Sequence, residues 1–208
     1  MTFVLRPPTA CSLLLLACLV LVAPARSGAV EMRISRDALE RTLKDQLFAG
    51  PSGRYYLKGN LQSPCFTYVE DPKLSFVQDP VQDRIVVRVK VHARLGRAVA
   101  GACIGLPLSL PAEVSLAPDA QGDIIGFRDA RLDRVSDQKE LNFLLNPFLS
   151  RQIPSSMKVN AGDLLRKALE GSTATSGYKV TLDRLKIHSI QITGETLVVD
   201  VDGDISVK

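Results

Sequence analysis

The chain has no tryptophan, and aromatic residues fill only 5% of its 208 positions. Its hydrophobic fraction of 46% must therefore pack as an aliphatic core of Val, Ile and Leu. Histidine is as scarce, with two in the chain, His92 and His188. Neither lies beside a Ser or Cys in a nucleophile motif. No G-x-S-x-G, phosphate-cradling Gly loop or H-E-x-x-H is present either. Catalysis is accordingly not expected. No C-x-x-C or clustered His/Cys spacing points to a metal, and no cofactor is implied. An excess of one charge is lacking too. Without residues 1–29, which hold Arg6 and Arg26 and no acid, 24 basic residues face 22 acidic ones, a balance of +2. Nucleic-acid binders carry a strongly basic footprint, so that partner class is excluded.

Residues 1–29 read as a secretory leader. Arg6 gives a positive start, an apolar run follows, and small residues stand at Ala23, Ala25, Ser27, Gly28 and Ala29. The apolar run from Leu13 to Ala23 falls short of the ~20 residues a membrane span needs. Cleavage after Ala25 or Ala29 satisfies the small-x-small rule, with Ala29 preferred. Leu15-Leu16-Ala17-Cys18 resembles a lipobox, which makes Cys18 the lipidation candidate, although Leu19-Val20-Leu21-Val22 carries the apolar run past it. Residues 30–208 are then one exported domain, in the periplasm or cell envelope, soluble or tethered through Cys18. Export permits a bridge between the two remaining cysteines, Cys65 and Cys103. The alternative is two buried free thiols.

What the chain does have is alternation. Ile85, Val87, Val89, Val91, Ala93 and Leu95 take every odd position of one run, and Ile104, Leu106, Leu108, Leu110, Ala112, Val114 and Leu116 every even position of the next. Such spacing puts one set on one face of a strand. Shorter strands are predicted at 31–34, 66–69 and 73–77. Another is predicted at 123–135, with a bulge near Arg128 where the alternation slips. Residues 52–64 read as a loop. A closing hairpin turns at Thr193-Gly194-Glu195, with slips near Asp183 and Ser189, and carries Val199 and Val201 on its apolar face.

Helices are few. Ser35 caps one over 36–48, with Leu39, Leu43 and Leu47 in a narrow stripe. Leu141, Leu144, Leu145, Phe148 and Leu149 give a wide apolar face that Pro147 should kink, and Pro154 should end that helix. Asn160 caps a last helix over 161–170, with Leu164, Leu165, Ala168 and Leu169 inward and Gly171 as its stop. The run Asp200-Val201-Asp202-Gly203-Asp204 departs from a calcium loop, since Gly follows the second acid and no bidentate Glu remains. Arg88, Lys90, His92 and Arg94 form a basic row. It reads either as a contact for an anionic membrane surface or as a solvated face paired with Asp200, Asp202 and Asp204.

Long one-sided strands against few helices leave apolar surface to cover. An acyl chain between helix and sheet would do so, at ~0.8 kcal/mol per buried methylene. The partner expected is therefore a lipid or other hydrophobic small molecule; protein partners are not legible. Its apolar lining is expected from Leu39, Leu43, Val87, Val89, Val91, Leu106, Leu108, Leu110, Leu144, Leu145, Phe148, Leu165, Val199 and Val201.

The order of these elements, with the helix start Ile34-Ser35-Arg36-Asp37-Ala38-Leu39, resembles the tubular lipid-binding (TULIP) superfamily, in particular its single-module bacterial envelope lipoproteins. The resemblance implies an α+β fold in which a long curved antiparallel sheet wraps a long kinked helix, with a short N-terminal helix. It implies lipid carriage or envelope lipid homeostasis and no catalytic residues. The other reading is a non-enzymatic structural or interaction protein of the envelope, β-rich and with a filled core.

Overall fold

The computed structural model describes residues 30–135 and 137–207. The leader and Cys18 lie outside the described residues. The fold is α+β, with two antiparallel sheets and few helices. One sheet has three strands in the order β1 (Val30–Ser35), β9 (Thr196–Val207), β8 (Val180–Thr193). The other has six: β2 (Tyr55–Lys58), β3 (Phe66–Val77), β4 (Arg84–Val99), β5 (Ala102–Gln121), β6 (Ile124–Arg134) and β7 (Val159–Asn160). This larger sheet curls around the helical layer.

That layer begins with α1 (Arg36–Leu47), where Ser35 Oγ accepts from the Ala38 amide at 3.2 Å. Its stripe Leu39, Leu43 and Leu47 is buried. The second helical run bends in three pieces: α2 (Lys139–Pro147), a π-helical turn (Phe148–Gln152) and α3 (Ile153–Ser156). Pro147 and Pro154 each remove an N–H, and the wider turn between them closes through the Ile153 amide to Phe148 O. Pro154 therefore opens α3 and does not end the helix, contrary to the sequence expectation. Leu141, Leu145, Phe148, Leu149, Ile153 and Met157 point from this run into the core. They meet Ile85, Val87, Val89 and Val91 of β4 and Ala112, Val114 and Leu116 of β5.

Other expectations change for definable reasons. The 52–64 segment contains β2, which pairs with β3. β3 is one strand, because a bulge between Glu70 and Lys73 absorbs Pro72, with Asp71 at φ 53°. The last helix, α4 (Ala161–Ser176), runs through Gly171, which does not stop it. On α4, Leu165 and Leu169 are half-buried, but Leu164 and Ala168 are exposed, so the inward face is narrower than predicted. Slips were expected near Arg128, Asp183 and Ser189; register shifts occur at Ser115/Ala117 opposite Arg128, at Leu182/Arg184 and at Ile187/Ser189.

The basic row finds partners other than those foreseen. β4 and β9 lie in different sheets. Arg88 Nε donates to Glu113 at 2.7 Å, Lys90 pairs with Asp71 at 2.9 Å, and His92 Nε2 lies 3.0 Å from Glu70 Oε1, at an angle that makes no hydrogen bond. Asp202 contacts His188, and Asp200 accepts from Ser189. Among the described residues only Arg94 of that row lacks an ionic partner.

β5 is buried only over its second half, Ala112 to Ala117. Its first half and the end of β4 form a ribbon that projects past the helices. Within it Gly96 faces Gly105, and a Cβ on Gly105 would lie 1.7 Å from Leu95 O, one on Gly96 2.0 Å from Ile104 O. Two strands this close require glycine at both places. Gly105→Ala is expected to destabilise by about 2–3 kcal/mol, the upper end of overpacking, because the obstacle is backbone. A shifted urea midpoint with an unchanged slope would register it.

Glu40 ties α1 to β3. Burial pushes its carboxyl up, but bonds from Lys44 Nζ (2.6 Å) and the Leu74 amide (3.1 Å), with the charges of Lys44 and Lys73, hold it below the usual range. A carboxylate lowered by folding contributes stability that is present above its unfolded value and lost as pH falls through the folded one. Glu40→Gln should therefore weaken the protein at neutral pH and flatten the loss of stability between neutral pH and about pH 3, as followed by urea midpoints.

Candidate functional site

Most of the lining expected from the sequence lies in the central core. Leu39, Leu43, Val87, Val89, Val91, Leu145, Phe148, Val199 and Val201 are all buried among one another. Leu108, Leu110, Leu144 and Leu165 are half-buried, and Leu106 on the projecting ribbon is 65% exposed. A strand's alternation assigns a residue to a face; it does not say whether anything lies over that face.

The apolar stripe of the three-stranded sheet continues past this core. Ile192 faces Leu197, Ile190 Val199, and Ile187 Val201, all toward the helices. The bulge at Leu182/Arg184 keeps Leu182 and Val180 in line with them, opposite Ile205 and Val207. There the helical cover thins, and Ile205 and Val207 are exposed. Gly203 leaves room beside Leu182 Cδ1, which a Cβ would approach to 3.2 Å.

Over this end of β8 lies α4, and between them opens a hollow of about 480 Å³. Leu169, Val180 and Leu182 supply its apolar wall, and Arg166, Glu170, Lys179 and Thr181 its rim. Its volume is within the ~300–1,000 Å³ of small-molecule sites.

The hollow's roof is fixed at the start of α4. Asn160 Oδ1 accepts from the Asp163 amide at 2.9 Å, the cap expected from the sequence. The Ala161 amide donates to Asp123 O at 2.9 Å, and Gly162 passes so close to Asp123 that a Cβ would meet its carboxylate at 2.6 Å. Arg166 bridges Asp163 (2.8 Å) and Asp123 (3.9 Å), so its charge is balanced within the fold. Lys179 has no ionic partner among the described residues and stands at the mouth.

None of the lining residues expected from the sequence borders this hollow; Leu165 lies on the helix above it. Leu169 was expected inward, and Val180 and Leu182 belong to the alternating hairpin. What the sequence does not carry is how far α4 stands from β8.

The disulfide Cys65–Cys103 is formed, with Cα atoms 5.1 Å apart. Such bonds persist in oxidising, extracytoplasmic compartments. Among the described residues no helix is long and apolar enough to cross a membrane, and no group of three or more His, Cys, Asp and Glu could hold a metal ion.

No protein-family model matches the chain, and no curated protein matches it. Among solved structures it is similar to the crystal structure of lipopolysaccharide binding protein, at 15% identity and a TM-score of 0.32. The match covers 86% of this chain and 51% of that one, so this chain spans about half its length. A likeness of that degree identifies neither family nor ligand.

Proposed function

We propose that this protein is an exported, non-enzymatic carrier of an amphiphile, holding the apolar tail between helix and sheet. The observation that carries the reading is the hollow between α4 and β8, lying on the same apolar stripe that forms the core. A tail laid on Leu169, Val180 and Leu182 would complete that stripe, at ~0.8 kcal/mol for each methylene removed from water. Lys179 at the mouth suits an anionic head group. The projecting ribbon supports a second element, contact with an anionic membrane surface. Val99, Ile104 and Leu106 are exposed there, and Arg97, which has no ionic partner among the described residues, shares their face opposite Ile104. Aliphatic side chains flanked by cations are attracted to anionic lipid. Tethering through Cys18 and membership of the tubular lipid-binding superfamily fit the same role.

Native mass spectrometry of protein purified without detergent tests the proposal. The expected spectrum holds an adduct that organic extraction removes. A single unliganded mass before and after extraction would favour the other reading, an envelope scaffold with a filled core.

A further inference from the structure

The outer face of the six-stranded sheet carries a feature that lipid carriage does not use. Thr67 and Val69 turn into the core, so Phe66, Tyr68 and Glu70 turn out. Outer faces are ordinarily polar, yet here rings stand in a row across three strands. Tyr56 of β2 pairs with Tyr68 of β3, and Tyr68 with His92 of β4. Ring centroids lie 5.5 Å apart for Tyr56–Tyr68, 5.1 Å for Tyr68–His92 and 5.4 Å for Phe66–Tyr68, the last two nearly parallel. The chain has only eleven Phe and Tyr, seven and four, and three of them stand here. The Arg54 guanidinium covers Tyr68 at 4.4 Å and bonds Glu70 at 3.2 Å, which fixes the centre of the row. The cystine at Cys65 holds the strand immediately before Phe66.

Beside the row opens a cleft of about 260 Å³, bordered by Phe66, Tyr68, His92, Arg94, Pro107 and Ser109. That is just below the ~300 Å³ at which sites for drug-sized ligands begin, so it suits one or two small rings and not a long chain. Phe66 and Tyr68 of β3 stand on one side of it and Pro107 of β5 on the other. Its polar groups include the Ser109 hydroxyl, the His92 imidazole, whose Nε2 makes no hydrogen bond, and the Arg94 guanidinium, which has no ionic partner among the described residues.

We propose that this cleft binds a sugar ring bearing an acidic group. A pyranose presents an apolar C–H face and a rim of hydroxyls, which suits an aromatic wall with polar groups at its edge. The carboxylate or phosphate of an acidic sugar pairs with the free Arg94 fork. A cationic ligand would meet the Arg94 charge, and a purely apolar one would leave the Arg94 and Ser109 groups unsatisfied.

Amide chemical-shift mapping on the full chain tests this with two probes, soluble trigalacturonate and vesicles containing a glucuronosyl diacylglycerol. The expected result is saturable shifts at Phe66, Tyr68, Arg94 and Ser109. Phe66→Ala should weaken binding about tenfold through the lost stacking. Arg94→Ala, at an exposed position, should abolish the preference for trigalacturonate over neutral cellotriose. Binding of the soluble sugar alone assigns the site to free glycan, and of the vesicles alone to a lipid head group; both support it. No shift at these residues with either probe, or shifts that persist in both variants, would overturn it.

Discussion

Removing the cystine with Cys65→Ser and Cys103→Ser is expected to cost about 3–4 kcal/mol, the entropy of closing a loop of 38 residues. For a domain of this size that is a fall of roughly 6–16 °C in melting temperature. The reason is local as well as entropic. From Leu95 to Leu106 the β4–β5 ribbon has no third strand, since β3 pairs with β4 only as far as Arg94. The cystine is the covalent tie between that ribbon and the body of the sheet. Hydrogen exchange should accelerate first at residues 96–105 in the double variant, while the core strand residues 85–91 keep their protection. Equal melting temperatures for wild type and variant would show that the ribbon is held by something else.

The second large effect concerns the hollow. Val180→Glu places a carboxylate on its apolar wall, at a half-buried position where the side chain can reach water in the empty protein. A bound tail would force that charge out of water or leave the site. The expected loss is about 100-fold in affinity for a long-chain fatty acid, some 2.7 kcal/mol, with little change in melting temperature. Leu106→Glu is the counterpart on the projecting ribbon. It should leave fatty-acid affinity in solution intact and reduce binding to anionic vesicles. Should the two variants exchange effects, the ligand site would belong to the ribbon and not to α4 and β8.

Much of the framework is legible in the residues. Alternation from Ile85 to Leu116 marks β4 and β5, Ser35 and Asn160 mark the helix starts, and the slips near Arg128, Asp183 and Ser189 correspond to bulges. Proline and glycine mislead where neighbours compensate. Pro72 sits in a bulge, Pro154 opens a helical turn after a π-helical one, and Gly171 is carried through α4. β2 is four residues long, too short for a period to show. The hollow is illegible for a different reason. Leu169, Val180 and Leu182 look like core residues in sequence, and only the separation of α4 from β8 leaves space over them. The aromatic row was hidden likewise, because Tyr56, Tyr68 and His92 meet through strand register and not through sequence spacing.

The most direct measurement is paramagnetic relaxation from a nitroxide-labelled fatty acid bound to the full chain. With the label near the end of the tail, signals of Leu169, Val180 and Leu182 should broaden, and a competing unlabelled fatty acid should restore them. Broadening confined to the ribbon around Ile104 and Leu106, or none anywhere, would contradict a tail held between helix and sheet.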